Sequence, residues 1–104
     1  MALEITDESI NNVLTENKLV VMDFWAAWCG PCRMLGPIID ELAIENPDII
    51  IGKVDASANP SASLTYGITS IPCVVFIKDG TEVFRVRGVQ PKSVLQAKID
   101  EIKN

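Results

Sequence analysis

The sequence contains no histidine and only three cysteines among its 104 residues. Because an iron–sulfur cluster held by four thiolates needs four cysteines, the count excludes such a cluster within the chain. A structural zinc site is disfavoured, since these sites use four Cys or His ligands, although Cys29, Cys32 and Cys73 with one carboxylate remain a conceivable set. Three cysteines cannot all pair with one another, so at least one thiol is free.

The chain is also short of positive charge and of long apolar runs. Nine Lys and Arg face 14 Asp and Glu, which gives a net charge of -5 and argues against nucleic acid or anionic membranes as partners. No apolar run approaches the roughly 20 residues that a membrane span requires. The first residues, MALEITDES, lack the basic flank and apolar core of a signal peptide. We therefore expect a soluble, unexported, cytoplasmic protein without membrane or nucleic-acid partners.

Linkers, internal repeats and low-complexity segments are absent as well. The composition, with 48% hydrophobic and 22% charged residues, is typical of a globular protein. A chain of this length can bury one hydrophobic core but has little left for a second unit. We expect a single domain over residues 1–104.

Apolar periodicity and turn residues predict that helices and strands alternate along the chain. Apolar runs indicate buried strands, helical spacing of apolar residues indicates amphipathic helices, and Asp-Gly favours a two-residue hairpin turn. The predicted elements are a helix capped by Thr6, the strand LVVMDFWAA from residue 19, a helix from Cys32 to about Asn46 with a kink at Pro37, the strand IIIGKVD, a short helix between Asn59 and Tyr66, the strands CVVFIK and TEVFRVR joined at Asp79-Gly80, and a last helix opened by Pro91.

This order of elements predicts an α/β domain with a central mixed sheet and helices on both faces. In such sheets, chemistry gathers at the carboxyl ends of the strands. Cys29 follows the first long apolar strand directly, so it falls at one of these ends.

The segment WCGPC places Cys29 and Cys32 three positions apart, at the expected start of a helix. A structural disulfide there would close a very small loop, so it would remove little entropy from the unfolded chain. The residues suit redox exchange better. Pro31 fits the first helical position, and the positive end of the helix favours a thiolate at Cys29. Cys32, in the first turn and expected to be more buried, would attack a mixed disulfide formed at Cys29.

The residues beside the two thiols also suit thiol–disulfide exchange. Gly30 leaves space for a partner chain to approach, and Trp28 either shields one side of the site or packs in the core.

The chain resembles the thioredoxin family over essentially its whole length. The resemblance lies in WCGPC after VMDFWAA, in KVDASANP and YGITSIP, and in Gly88 after the hairpin. It implies the thioredoxin fold and a monomeric dithiol carrier that reduces disulfides in client proteins and is re-reduced by a thioredoxin reductase. It also implies that no cofactor is bound, since only the reductase uses NADPH, and that Gly30-Pro31 tunes the pair toward a reductant.

The resemblance assigns roles to two charged residues. Asp23 would be the buried proton acceptor that deprotonates Cys32, a task that needs a raised pKa, and Lys53 would lie near Asp23 and tune its charge. Without the resemblance, Asp23 reads as a paired structural group and Lys53 as a surface lysine.

The resemblance also implies a client-binding groove. The Ile71-Pro72 peptide bond would be cis and lie against Cys29, and the backbone of Ile71 would pair with an extended client chain. Gly88 would keep the groove shallow. Ordinary turn and strand chemistry is the alternative reading of these residues.

Two positions depart from the family pattern. Cys73 follows Pro72 where the family usually has Thr, and Ser57 stands where an acidic residue is common. We expect Cys73 to be a buried thiol that does not react. Three other functions stay open, namely a three-thiol metal-binding module, a scaffold whose thiols are incidental, and an isomerase or oxidant with the same fold.

Overall fold

A five-stranded mixed sheet forms the centre of the computed structural model, which describes all 104 residues. The strands lie in the order β1-β3-β2-β4-β5. β2 runs parallel to β3 and antiparallel to β4, and β4 and β5 form an antiparallel pair. The elements are β1 (Leu3–Glu4), α1 (Ile10–Glu16), β2 (Leu19–Trp25), α2 (Gly30–Glu45), β3 (Ile50–Asp55), α3 (Pro60–Thr65), β4 (Cys73–Lys78), β5 (Thr81–Arg87) and α4 (Lys92–Lys103).

Helices cover both faces of the sheet, as the order of elements predicted. Alternate residues of β2 and β4 point to opposite faces, so each strand contributes to two cores. α1 and α3 pack on one face and α2 and α4 on the other. The first core includes Ile10, Val20, Met22, Phe24, Ala62, Cys73, Val75 and Ile77, and the second includes Val21, Leu35, Ile39, Leu42, Val74, Phe76, Leu95 and Ile99.

The amino-terminal region differs from the prediction in two ways. α1 begins at Ile10 with Ser9 at its N-cap, whereas Thr6 closes the turn before it: the Thr6 hydroxyl accepts a hydrogen bond from Ser9 N at 3.2 Å. The sequence also gave no signal for β1, which has two residues and pairs with β3 at Gly52. A Cβ at residue 52 would lie 2.8 Å from Leu3 O, so glycine lets the two strands approach.

The remaining elements lie close to their predicted positions. Asp79 and Gly80 have φ angles of 52° and 80°, as a two-residue hairpin turn requires. Pro37 lies inside α2 and does not terminate it, because the helix continues to Glu45. None of the four helices combines the length and the apolar character needed to cross a membrane.

Candidate active site

Cys29 and Cys32 form a disulfide at the start of α2, shortly after the end of β2, with Cα atoms 5.3 Å apart. Cys29 is the N-cap of α2, and its sulfur accepts a hydrogen bond from Cys32 N at 3.3 Å. Pro31 is the second helical residue rather than the predicted first, because α2 starts at Gly30. A helix amide and the positive end of the helix both face the Cys29 sulfur, so the reduced form favours a thiolate there.

The two cysteines differ in what they face more than in how far they are buried. Cys29 is 6% exposed and Cys32 4%, so the predicted difference in burial is slight. The Cys29 sulfur lies 3.8 Å from Ile71 O, beside the loop before β4. Cys32 instead lines a cleft that also contains Asp23. One sulfur therefore lies beside the loop before β4, and the other lies at a cleft that a buried carboxyl group also lines.

Asp23 is a carboxyl group buried in the middle of β2. It is 1% exposed, and neither of its oxygens has a hydrogen-bond partner. Burial raises the pKa of Asp23 to about 7, against a lowering by the charge of Lys53 and with a further rise from Asp40. Asp23 is therefore not a structural group with a hydrogen-bond partner. Its raised pKa is of the kind that the proton-acceptor role implied by the resemblance needs.

A cleft of about 170 Å³ connects Asp23 with Cys32. Its volume exceeds what one water molecule needs, and its lining includes polar groups. The carboxyl group and the cysteine thus share one cleft, although the Asp23 oxygens themselves are fully buried beneath its surface. The lining residues are Asp23, Trp25, Cys32, Arg33, Gly36 and Lys53.

Lys53 reaches this cleft but pairs with a different carboxylate. Asp23 and Lys53 are direct neighbours across β2 and β3, yet the Lys53 ammonium lies 3.1 Å from Asp40 Oδ2, on α2. Its side chain is 26% exposed, so it is neither a free surface lysine nor fully buried. Asp40 was not predicted from the sequence. It follows Gly36, which lines the cleft, by one turn of α2, and this spacing is the signal that points to it.

The loop before β4 lies against Cys29. The Ile71-Pro72 bond is cis, as the resemblance implied, and Ile71 packs against the cluster that holds both active-site cysteines. Pro72 O accepts a hydrogen bond from Gly88 N at 2.9 Å. Gly88 has a φ of 86°, and nothing lies within 4 Å of where its Cβ would be. The structure thus brings Ile71, Pro72 and Gly88 together near Cys29; Ile71 and Gly88 are half-buried and Pro72 is buried.

Trp28 is 74% exposed, so the interpretation as a core residue is wrong. Its indole Nε1 donates a hydrogen bond to the Ser57 hydroxyl at 3.3 Å, and Ser57 N in turn donates to Asp55 Oδ1 at 3.0 Å. These contacts hold a large apolar ring at the surface directly before Cys29. Such a ring offers contact area to a partner.

Cys73 is buried at the start of β4, on the sheet face opposite Asp23. It is 1% exposed and is the direct neighbour of Phe24 on β2. Burial raises the pKa of the Cys73 thiol, against smaller opposite effects from Arg85 and Arg87 on β5. A buried, protonated thiol is a poor nucleophile.

We predict that Cys73 stays unmodified in the native, oxidised protein. An alkylating agent added under native conditions should leave Cys73 unlabelled until a denaturant exposes it, because burial keeps the thiol both inaccessible and protonated. Mass spectrometry of the labelled peptides measures this, with the Cys29–Cys32 disulfide as the only bond expected. Rapid native labelling of Cys73, or any disulfide to it, would contradict the prediction.

The structure contains no group of three or more His, Cys, Asp or Glu side chains that could hold a metal ion. The suggested set of Cys29, Cys32, Cys73 and a carboxylate is therefore not assembled in this conformation.

A cysteine pair at a helix N-terminus, joined through a cleft to a buried carboxyl group, defines a thiol–disulfide oxidoreductase. The family model described as Thioredoxin matches residues 1–101. The chain belongs to the thioredoxin family.

Individual relatives agree with this assignment. The chain is 44% identical over 100 residues to Thioredoxin 2 of Chlorobaculum tepidum, covering 94% of this chain and 92% of the relative. It is 41% identical over 103 residues to Thioredoxin 1 of Synechococcus elongatus, covering 97% and 96%. The X-ray structure of Fasciola hepatica thioredoxin superposes with a TM-score of 0.87 at 40% identity, over 97% of this chain and 98% of that one.

The predicted thioredoxin fold and activity are thus confirmed. The protein is a dithiol carrier that exchanges disulfides through Cys29 and Cys32, and so a protein-disulfide oxidoreductase. Members of this family typically work without a bound cofactor, and membership implies interaction with a thioredoxin reductase and with disulfide-containing clients.

Proposed function

We propose that this protein works in the reducing direction, taking two electrons from an NADPH-dependent thioredoxin reductase and passing them to disulfides of cytoplasmic client proteins. The observation that carries this proposal is the Cys29–Cys32 pair, whose first sulfur caps α2 and lies 3.8 Å from Ile71 O. The Gly30-Pro31 pair between the cysteines favours a reductant by resemblance to the family. The protein binds no cofactor itself.

The exchange runs in two steps. The Cys29 thiolate attacks one sulfur of the client disulfide, which forms a mixed disulfide and releases the other client sulfur as a thiolate. Cys32 then attacks the Cys29 sulfur, which forms the Cys29–Cys32 bond and releases the second client thiolate. The client gains two electrons, and the protein ends as the disulfide.

Asp23 accepts the proton of Cys32 in the second step. The cleft that both residues line supports this role, as does the pKa of Asp23 of about 7, because a base acts best when its pKa lies near the working pH. Lys53, the cation beside the carboxyl group, tunes how readily Asp23 takes the proton.

The client binds in the groove formed by Trp28, Ile71, Pro72 and Gly88. An extended client chain pairs with the backbone of Ile71, as in other cases of strand addition. Ile71 lies outside the helices and strands, and none of the backbone–backbone hydrogen bonds outside those elements uses its N–H or C=O, while its C=O lies 3.8 Å from the Cys29 sulfur. The open surface at Gly88 and the exposed ring of Trp28 support the same groove.

The protein acts as a monomer in the cytoplasm and binds neither membranes nor nucleic acid. Its net charge of -5 supports the absence of membrane and nucleic-acid binding, since nucleic acids and anionic membranes both carry negative charge.

The test is turnover with a purified thioredoxin reductase, NADPH and a protein disulfide, together with the reduction potential of the Cys29–Cys32 couple. We expect continuous NADPH oxidation that requires this protein, and a potential clearly below that of protein disulfide isomerase, about −180 mV. A potential at or above that value would assign an isomerase or oxidant role. Absence of turnover would favour a scaffold whose thiols are incidental.

A further inference from the structure

Lys53 lines the cleft that Asp23 and Cys32 share, and it forms an ion pair with Asp40 on α2. The Asp40 side chain is 31% exposed, whereas Asp23 is 1% exposed. Lys53 is the direct neighbour of Asp23 on the next strand, yet its ammonium bonds to the Asp40 carboxylate only. One cation is thus adjacent to two carboxyl groups and pairs with the more exposed one.

We propose that Asp40 is a positioning residue of the exchange reaction: it holds the Lys53 ammonium in an ion pair, and so leaves Asp23 free to exchange its proton with Cys32. This inference rests on the proposed role of Asp23 as proton acceptor. Asp40 touches neither sulfur and acts only through Lys53.

Asp40 is itself fixed in place. Its Oδ2 accepts from Lys53 Nζ at 3.1 Å, and its Oδ1 accepts from Ala2 N at 3.1 Å. Burial acts to raise the pKa of Asp40, but the contacts with Ala2 and Lys53 together lower it below its usual value, so the carboxylate stays charged. A charged group held from two sides is a firm anchor for the ammonium.

The Lys53 side chain passes over Gly36 on its way to Asp40. Gly36 lies on α2 one turn before Asp40 and lines the cleft. A Cβ at Gly36 would be 3.6 Å from Lys53 Nζ, so the ammonium already passes over the glycine at contact distance. The helix surface therefore lets the lysine chain cross from β3 to Asp40.

Few other charges face Asp23. Arg33 from α2 and Lys53 from β3 line the cleft, and Asp40 on α2 pairs with Lys53. β4 places Val74 opposite Asp23 and turns Cys73 to the other face. If the ion pair with Asp40 is broken, Lys53 is thus the cation that can approach Asp23. An opposite charge that close favours the ionised carboxylate.

The test is Asp40→Asn, which keeps an oxygen for Ala2 N but removes the charge that binds Lys53. The Lys53 ammonium, no longer paired, should turn toward Asp23. It should lower the titration midpoint of the Asp23 carboxyl group by about 1 pH unit, the scale expected for an opposite charge within roughly 4–6 Å. NMR of the Asp23 side-chain carbon in the oxidised protein measures the midpoint. In the pH profile of the second exchange step, in which Cys32 releases the client, the rise on the acid side should move to lower pH by the same amount. Asp40→Ser gives the same test should Asp40→Asn fold poorly.

Two controls separate positioning from a general charge effect. Glu41→Gln removes the neighbouring negative charge on the same helix, one that pairs with Lys92 at 3.3 Å, and should leave the midpoint in place. In a Lys53→Gln background, Asp40→Asn should shift the midpoint much less, because no ammonium remains to move. An unchanged midpoint in Asp40→Asn, equal shifts in both backgrounds, or an equal shift in Glu41→Gln would overturn the proposal.

Failure of this inference is distinguishable from failure of the proposed function. If Asp23→Asn resolves mixed disulfides at the wild-type rate, Asp23 is not the proton acceptor and the positioning role in exchange falls with it. If Asp23→Asn is slow but the midpoint in Asp40→Asn is unchanged, the proton acceptor stands and only the role of Asp40 is wrong.

Discussion

Cys29→Ser is expected to lose all disulfide-reductase activity, whereas Cys32→Ser should still attack a client and retain it as a stable mixed disulfide. Cys29 caps α2, so a helix amide and the positive helix end stabilise its thiolate, and its sulfur lies 3.8 Å from Ile71 O in the proposed client groove. Cys32 faces the cleft with Asp23, where its task is to release the client. Without Cys32 the first bond forms and the second step has no nucleophile.

Non-reducing electrophoresis of each variant, incubated with a protein disulfide, measures the trapped complex. Cys73→Ser is the matched control, because it removes the one thiol outside the pair and should neither trap a client nor abolish turnover. Trapping by Cys29→Ser instead would reverse the roles of the two active-site cysteines. Trapping by neither variant would show that the pair does not attack clients through a single sulfur.

The long, strongly patterned elements could be predicted from the sequence alone. β2 shows as a nearly continuous apolar run because both of its faces are buried, and the hairpin between β4 and β5 shows because Asp79-Gly80 suits positive φ. β1 could not be predicted, since two exposed residues carry no periodicity and their pairing depends on the close approach that Gly52 permits.

In the candidate site, too, some residues could be predicted from the sequence and others could not. Cys29 and Cys32 lie on one local segment whose geometry follows from the start of a helix, so the sequence alone identifies the pair. Asp23 stood out because an acid inside an apolar strand is costly. The pairing of Lys53 with Asp40 could not be predicted, because it joins β3 to α2 across a contact that exists only after the sheet and helix pack.

Asp23→Asn is expected to stabilise the oxidised protein above neutral pH while slowing client release. The pKa of Asp23 rises from its usual 3.8 to about 7 on folding because the carboxyl group is buried without a hydrogen-bond partner. Between these two pH values the unfolded chain has lost the Asp23 proton and the native protein still holds it. Stability of the wild type therefore falls as the pH rises from about 4 to about 7 and stays lower above that range. Asparagine does not titrate, so this loss disappears in the variant.

The free energy of unfolding of Asp23→Asn, relative to wild type, should therefore rise by on the order of 3–4 kcal/mol between about pH 4 and pH 8. In acid the wild type buries a neutral carboxyl group that also lacks a partner, so the two proteins should be similar in stability near pH 4, and the variant should be the more stable one in mild alkali. Urea unfolding of the oxidised proteins across this range measures the difference. Asp79→Asn, in the exposed hairpin turn, is the matched control and should change stability little at any pH.

The same variant should resolve mixed disulfides about a hundredfold more slowly near neutral pH, a typical loss when a general base is removed. Stopped-flow measurement of the second step, after a mixed disulfide has formed at Cys29, isolates this rate from client binding. A stability gain with an unchanged rate would leave Asp23 as a buried carboxyl group without a part in the exchange. A slow rate with no change in the pH dependence of unfolding would show that the native carboxyl group titrates near its usual pKa, and that its burial does not set its function.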